Sequence, residues 1–252
     1  MAAKTIALAC MKGGSAKTTS TISLAAALAA RGKTVLTVDM DPQGHLAEGF
    51  GIPLGDIRAD ISLVLERKIG LADIILTARE RIALAPSTLE LAYKEPSIYN
   101  MKRREDRLAS AVTTVADQYD YVLIDCPPSL GIFTINALSA ASTVLIPMTA
   151  DYYAMLGVEM LLSTVNEVRA EINPHLSLCG LLPTRVGRTT NAREVLDETT
   201  KNLGEKLRIF PPIPETVKFR EAAALGKTIL EHAPDSAGTI AYSQLAETIT
   251  CE

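Results

Sequence analysis

The run Cys10-Met11-Lys12-Gly13-Gly14-Ser15-Ala16-Lys17-Thr18-Thr19 constrains this 252-residue chain more than any other segment. An apolar, β-branched stretch, Thr5–Cys10, leads into it, and an Ala/Leu-rich stretch, Thr18–Ala30, follows and is closed by Arg31-Gly32. A strand that bends through glycines directly into a helix aims several backbone N–H groups at one spot, where the helix dipole also favours an anion. A lysine in such a bend supplies a point charge for phosphates, and the threonine behind it supplies a hydroxyl for Mg²⁺. Lys12, Gly13, Gly14, Ser15, Ala16, Lys17, Thr18 and Thr19 are therefore expected to form a phosphate cradle, with Lys17 reaching the β- and γ-phosphates. The usual GxxxxGK[ST] spacing fails, because Met11 and Ala16 stand where it has glycine. KGGxxKT fits instead, with a second lysine, Lys12, at its start.

The rest of the chain repeats the theme of a short apolar run followed by a helical pattern, which indicates a parallel sheet wrapped by helices. Strands are expected at Thr5–Cys10, Thr34–Val38, Ile82–Ala85, Tyr121–Ile124, Thr143–Pro147 and Leu176–Leu182, with a further one through Lys206–Phe210. Continuous apolar character suits strands covered on both faces. Helices are expected at Thr18–Ala30, Arg103–Gln118, Tyr153–Ile172 and Ser236–Ile249, while the segment Asp56–Glu95 gives the weakest pattern apart from its strand at Ile82–Ala85. Neither repeat nor linker interrupts the chain, so residues 1–252 read as a single α/β domain, a mostly parallel twisted sheet with helices on both faces.

Composition narrows the function. Aromatic residues are 4% of the chain and Trp is absent, which argues against a binder that stacks single-stranded bases. Cys10, Cys126, Cys179 and Cys251 form no CxxC pair, so a zinc site or disulfide framework is not expected and a reduced, cytoplasmic setting is. No apolar run approaches the roughly 20 residues of a membrane span, and Lys4 precedes the first strand without a cleavage signature for export. A net charge of −4 excludes a generally basic nucleic-acid coat but leaves room for a local basic patch.

Four further runs accompany the cradle: Val38-Asp39-Met40-Asp41-Pro42-Gln43-Gly44, Val122-Leu123-Ile124-Asp125-Cys126-Pro127-Pro128-Ser129, Ala150-Asp151-Tyr152-Tyr153 and the late Gly226-Lys227-Thr228-Ile229. With these the chain resembles the ParA/MinD family of deviant-Walker ATPases over nearly its whole length, and within it the short partition and McdA-like positioning proteins. The resemblance implies a single P-loop NTPase domain that uses ATP and Mg²⁺. It also implies that Asp41 positions or deprotonates the attacking water, that Thr18, Asp39 and Asp125 serve the metal, and that Pro127-Pro128 senses the γ-phosphate. Lys12 would cross a dimer interface to the partner's nucleotide, so that ATP joins two copies and hydrolysis parts them. Ala16, where most members have glycine, is expected to weaken nucleotide binding without abolishing it.

Adenine contacts are expected from Thr184 and from the Pro211-Pro212-Ile213-Pro214 loop, with Pro212 and Pro214 offering free carbonyls. Between Arg185 and Lys227 the cations are nearly balanced by acids, which suits a solvated face. By the resemblance, the same stretch holds duplex DNA without sequence preference, through Arg188, Lys218 and Arg220. A homodimer formed with ATP, non-specific double-stranded DNA and a ParB-like or adaptor protein that stimulates slow hydrolysis complete the expected partners. The place of action would be the nucleoid, and the cargo a plasmid, a chromosome or a protein compartment such as a carboxysome. A MinD-like membrane cycle is the alternative, but the last residues, Leu245 to Glu252, lack the basic amphipathic character it needs. An iron–sulfur carrier on the same scaffold would require cysteines meeting at a cluster, which the spacing of Cys126 and Cys179 does not offer.

Overall fold

Seven strands run in the order β3-β4-β2-β5-β1-β6-β7, with β1 (Lys4–Leu8) inside the sheet, between β5 (Tyr121–Asp125) and β6 (Thr143–Thr149). The others are β2 (Val35–Asp39), β3 (Leu76–Arg79), β4 (Ile82–Ala85) and β7 (Ser177–Thr184). Every neighbouring pair is parallel except β3 with β4. The computed structural model describes residues 3–187, 189–205 and 207–251, without the side chains of residues 152–154, 191 and 193.

Alternation along the strands divides the core. Ile6 and Leu8 of β1 pack with Leu24 and Leu28 of α1 (Lys17–Ala30) and with Leu245 and Ile249 of a C-terminal helix, while Ala7 faces the opposite layer. All of these side chains are completely buried or nearly so. Burying each leucine or isoleucine stabilises the fold by roughly 1.5–3 kcal/mol, so the two apolar layers, not any covalent staple, hold the sheet. In chain order the remaining helices are α2 (His45–Gly49), α3 (Ile61–Leu65), α4 (Glu90–Tyr99), α5 (Arg107–Thr113), α6 (Ile132–Ala140), α7 (Tyr152–Glu171), α8 (Thr190–Leu203), α9 (Lys218–Ala224), α10 (Ile229–His232) and α11 (Ala237–Thr250). Because β1 leads to β2 on one side and lies beside β6 on the other, the carboxyl ends of the central strands face a crevice at a topological switch point.

The expected strands match within a few residues, with two corrections. Lys206 lies outside the described residues, and the rest of Lys206–Phe210 forms no strand: Ile209 makes only an isolated bridge to Leu181. Pro211-Pro212 follow at once and cannot donate to a ladder, which interrupts the pairing until Ile213 N–H donates to the Pro183 carbonyl. The helix expected over Arg103–Gln118 is broken. Arg103 adopts a left-handed φ of 53° and donates to Asp106, the helix starts only at Arg107, and the Thr113 and Thr114 hydroxyls bond back to Ala109 and Ala111 carbonyls at its end. In the unclear Asp56–Glu95 segment, β3 forms an antiparallel hairpin with β4, turned by Glu80 and Arg81. Among the described residues, no helix is long and apolar enough to cross a membrane.

Candidate active site

Between the β1–α1 loop and α9 lies a cleft of about 570 Å³, within the size range of small-molecule sites. Its lower wall is the loop itself. Gly14 and Ala16 both take left-handed backbone, with φ of 75° and 63°, and this double reversal turns the chain into α1. Among the described residues no side chain caps α1, so its first N–H groups stay open to an anion in the cleft. The loop's carbonyls are drawn the other way: Lys17 Nζ donates to the Lys12 carbonyl at 3.1 Å and Thr184 Oγ1 to the Ser15 carbonyl at 3.0 Å. Among the described residues, buried Ser15 Oγ has no hydrogen-bond partner, an orphan polar atom that a ligand would satisfy. Lys17 is 7% exposed and, among the described residues, pairs with no carboxylate. A buried cation beside open N–H groups is an anion cradle.

The carboxylates meet the loop because β2 and β5 are in register, placing Asp39 opposite Asp125. Asp39 accepts from the N–H groups of Asp41 at 2.9 Å and Leu46 at 3.1 Å, which ties α2 to the strand end. Asp125 accepts from the hydroxyls of Thr18 at 2.6 Å and Thr21 at 3.4 Å. Burial, then the charge of Asp125, pushes the Asp39 carboxyl well above the usual carboxylate range. Burial likewise raises Asp125 to about 7, against the opposing pull of the Thr18 hydroxyl and Lys17. Among the described residues these two buried acids form no ion pair, and two carboxylates and a hydroxyl at one spot are oxygen donors of the kind that suit Mg²⁺. Among the described residues, no group of three or more His, Cys, Asp and Glu could hold a metal alone. Mg²⁺ in such a site keeps waters and takes phosphate oxygens as its remaining ligands.

Asp41 lines the cleft, its Oδ1 accepting from the Gln43 N–H at 3.0 Å in a tight turn. Gly44 closes that turn at a φ of 68°, and a side chain there would strike the Ser87 carbonyl. Pro128 forms part of the same wall. Cys126 is a packed core thiol: burial pushes its ionisation up, so it offers no thiolate nucleophile.

The upper wall differs from expectation. Thr184 is fully buried and its hydroxyl is spent on the loop. Pro212 and Pro214 do not line the cleft; Ile213, Glu215 and Thr216 do, because the backbone pairs of Ile213 and Glu215 with Val186 set the alternation of the segment. Sequence reasoning missed Phe219 and Tyr242, which line the cleft and pack edge to face with centroids 5.9 Å apart, while Tyr242 shares a 2.7 Å hydrogen bond with Ser20 of α1. Their scarcity was the available signal, since few aromatics exist in the chain to build any wall. His45 and Arg185 were also missed.

Lys12 sits on the loop's outer lip, about one-third exposed, and pairs with Asp151, which also accepts from Thr149 Oγ1 at 2.6 Å. Of the expected DNA contacts, Arg188 lies outside the described residues. Lys218 is tied to Glu221 at 2.8 Å, and that carboxylate also meets His232 at 2.9 Å. Arg220 lines the cleft from α9 and is exposed.

Comparison with known proteins agrees with this geometry. A family model described as an AAA domain matches residues 3–178. The sporulation initiation inhibitor protein Soj of Bacillus subtilis is 40% identical, with 98% of each chain covered. The chromosome-partitioning ATPase Soj of Thermus thermophilus is 41% identical, covering 97% of this chain and 94% of its own. A structure titled cobyrinic acid a,c-diamide synthase from Mycobacterium smegmatis, with a bound ATP analogue and magnesium, is 34% identical, with a TM-score of 0.87 over 98% of this chain and 94% of that one. The chain belongs to the AAA domain family and, within it, to the Soj/ParA partition ATPases; it is an ATPase, with ATP and Mg²⁺ as its cofactors.

Proposed function

We propose that this Soj/ParA ATPase is an ATP-switched positioning protein: ATP brings two copies together, the dimer holds duplex DNA without sequence preference, and hydrolysis stimulated by a partner protein releases it. Residues 1–252 act as one domain in this cycle. The observation that carries the reading is the rim of the cleft. Lys12 stands there beside exposed Met11, and Leu156 and Met160, one turn apart on α7, are exposed as well. A Cβ on Gly157 would lie 3.7 Å from Met11, so helix and loop form one surface. Large apolar side chains around a cation at the mouth of a nucleotide site suit a second copy better than water.

In this cycle Lys17 neutralises the triphosphate in its own cleft, and Thr18 with Asp39 and Asp125 holds Mg²⁺, which supplies charge neutralisation across the phosphates. Asp41 orients the attacking water, its carboxylate held by the Gln43 N–H. Lys12 exchanges Asp151 for the partner's nucleotide, a contact that is large only where the interface excludes water. Lys218 and Arg220 on α9, with Arg188, would supply the DNA surface, which dimerisation doubles. Such binding is phosphate-driven and falls steeply with salt.

Light scattering with and without ATP tests the switch. Wild type is expected to double its mass with ATP, and Lys12→Ala or Lys12→Gln to remain a monomer; a dimer unchanged by either substitution removes Lys12 from this role. A mobility assay at low and moderate salt tests the DNA step, and absence of ATP-dependent retention at both overturns it. The cargo, whether plasmid, chromosome or compartment, follows from the partner that the loaded dimer captures.

A further inference from the structure

Arg185 follows directly on the last residue of β7 and has a φ of 52°, a left-handed backbone that arginine adopts only at a cost of about 1 kcal/mol or more. The other described non-glycine residues with positive φ are Ala16, which makes the cradle, and Arg67, Arg81 and Arg103, which do not line the cleft. Arg185 lines it. Its Nη1 lies 3.5 Å from the Gly14 carbonyl, and its Nη2 lies 3.7 Å from Glu215 Oε1. The guanidinium thus spans from the phosphate loop to the wall that carries Glu215 and Thr216.

Neither contact is a good bond. The first is at the outer limit for a hydrogen bond and the second is beyond it, and the side chain is 54% exposed. Among the described residues, the five donors of this guanidinium therefore have no short partner over the cleft. The backbone on both sides is nonetheless fixed: Thr184 donates to the Ser15 carbonyl, Val186 N–H donates to the Ile213 carbonyl, and Glu215 N–H donates to the Val186 carbonyl. The strain is held in place by its surroundings, and what it positions is a loosely engaged cation at the lip of an anion cradle.

Charge completes the case. The cleft is lined by the cations Lys17, Arg185 and Arg220 and the anions Asp41 and Glu215. Lys17 brings one positive charge to the cleft and a triphosphate carries several negative ones, so a second cation on the same cleft adds to its hold, and a planar guanidinium matches phosphate oxygens two at a time. We propose that Arg185 is a further nucleotide-binding residue, whose guanidinium leaves the Gly14 carbonyl and Glu215 for the phosphates of a bound nucleoside triphosphate. This concerns nucleotide binding in one chain, and it stands or falls independently of dimerisation and DNA.

Calorimetric titration with a non-hydrolysable ATP analogue and Mg²⁺ tests it, beside AMP and thermal melting. Arg185→Gly keeps the left-handed turn without strain, so it is expected to melt no lower than wild type yet to bind the triphosphate about tenfold more weakly. Its affinity for AMP is expected to change less, and Arg185→Lys to recover part of the loss. Triphosphate binding by Arg185→Gly equal to wild type overturns the assignment, as does an equal loss for AMP and for the triphosphate.

Discussion

The phosphate side of the cleft and its base side are built on opposite principles. On the phosphate side, Asp39 and Asp125 are buried at the ends of central strands and Lys17 at the start of α1, and their positions are fixed by hydrogen bonds of 2.6–3.1 Å. On the base side, Glu215 and Arg220 are exposed and hang from the segment after edge strand β7 and from the seven-residue helix α9. Burial makes the first side chemically exacting, because an unpartnered charge there has no water to fall back on. The second side can offer shape and a few adaptable side chains without that penalty. Substitutions are therefore expected to act sharply on one side and mildly on the other.

Lys17→Met is expected to cause the largest effect, weakening binding of ATP with Mg²⁺ at least about 100-fold by calorimetry. Phe219→Ala, on the base side, should lose about tenfold or less. A larger loss from Phe219→Ala than from Lys17→Met would invert the comparison.

Asp125→Asn follows in size. The folded-state carboxyl is raised to about 7, so the stability this group contributes is full below its ordinary range and is lost as pH rises through about 7. Replacing it with an amide should raise the melting temperature of the nucleotide-free protein by roughly 4 °C or more near pH 8, and by progressively less toward pH 5. The same variant is expected to lose ATP turnover. Melts at several pH values check the first statement, and a gain that grows toward acid pH would contradict it. The base side has the opposite sign: Lys218 and His232 hold the Glu221 carboxyl below its usual range, so its contribution is lost only in acid.

Ala16→Gly sharpens the comparison within the cradle. Removing the Cβ at a φ of 63° should stabilise the fold by about 1 kcal/mol and tighten ATP binding a few-fold, read by melting and titration together. Lys218→Ala is the smallest expected change. Because Lys218 is half-exposed and, among the described residues, ion-paired only with Glu221 of α9, the melting temperature and ATP affinity should both stay within error, while ATP-dependent retention of DNA declines.

What could be read from the chain follows the same divide. The cradle, Asp39, Asp41 and Asp125 were legible because phosphate and Mg²⁺ chemistry prescribes residue types at short spacing, and parallel strands bring those runs to one edge. Phe219 and Tyr242 were not, because an apolar wall asks for volume rather than a particular residue, and they lie 23 positions apart on different helices. Thr184 was expected to meet the adenine; it lines the cleft, but a sequence does not show that its hydroxyl is taken by the Ser15 carbonyl. The same limit broke the Arg103–Gln118 helix: apolar spacing runs on, while the left-handed turn at Arg103 and the back-bonding threonines do not announce themselves. β3 escaped notice as a four-residue edge strand whose partner, β4, alone carries the apolar signal.

The most direct measurement is a crystal structure with Mg²⁺ and a non-hydrolysable ATP analogue. Phosphates seated on the N–H groups from Gly13 to Thr19, metal beside Thr18 and Asp125, and the base between Ile213 and Phe219 are the expected result. Phosphates bound elsewhere, or a cradle left empty at saturating analogue, would contradict it.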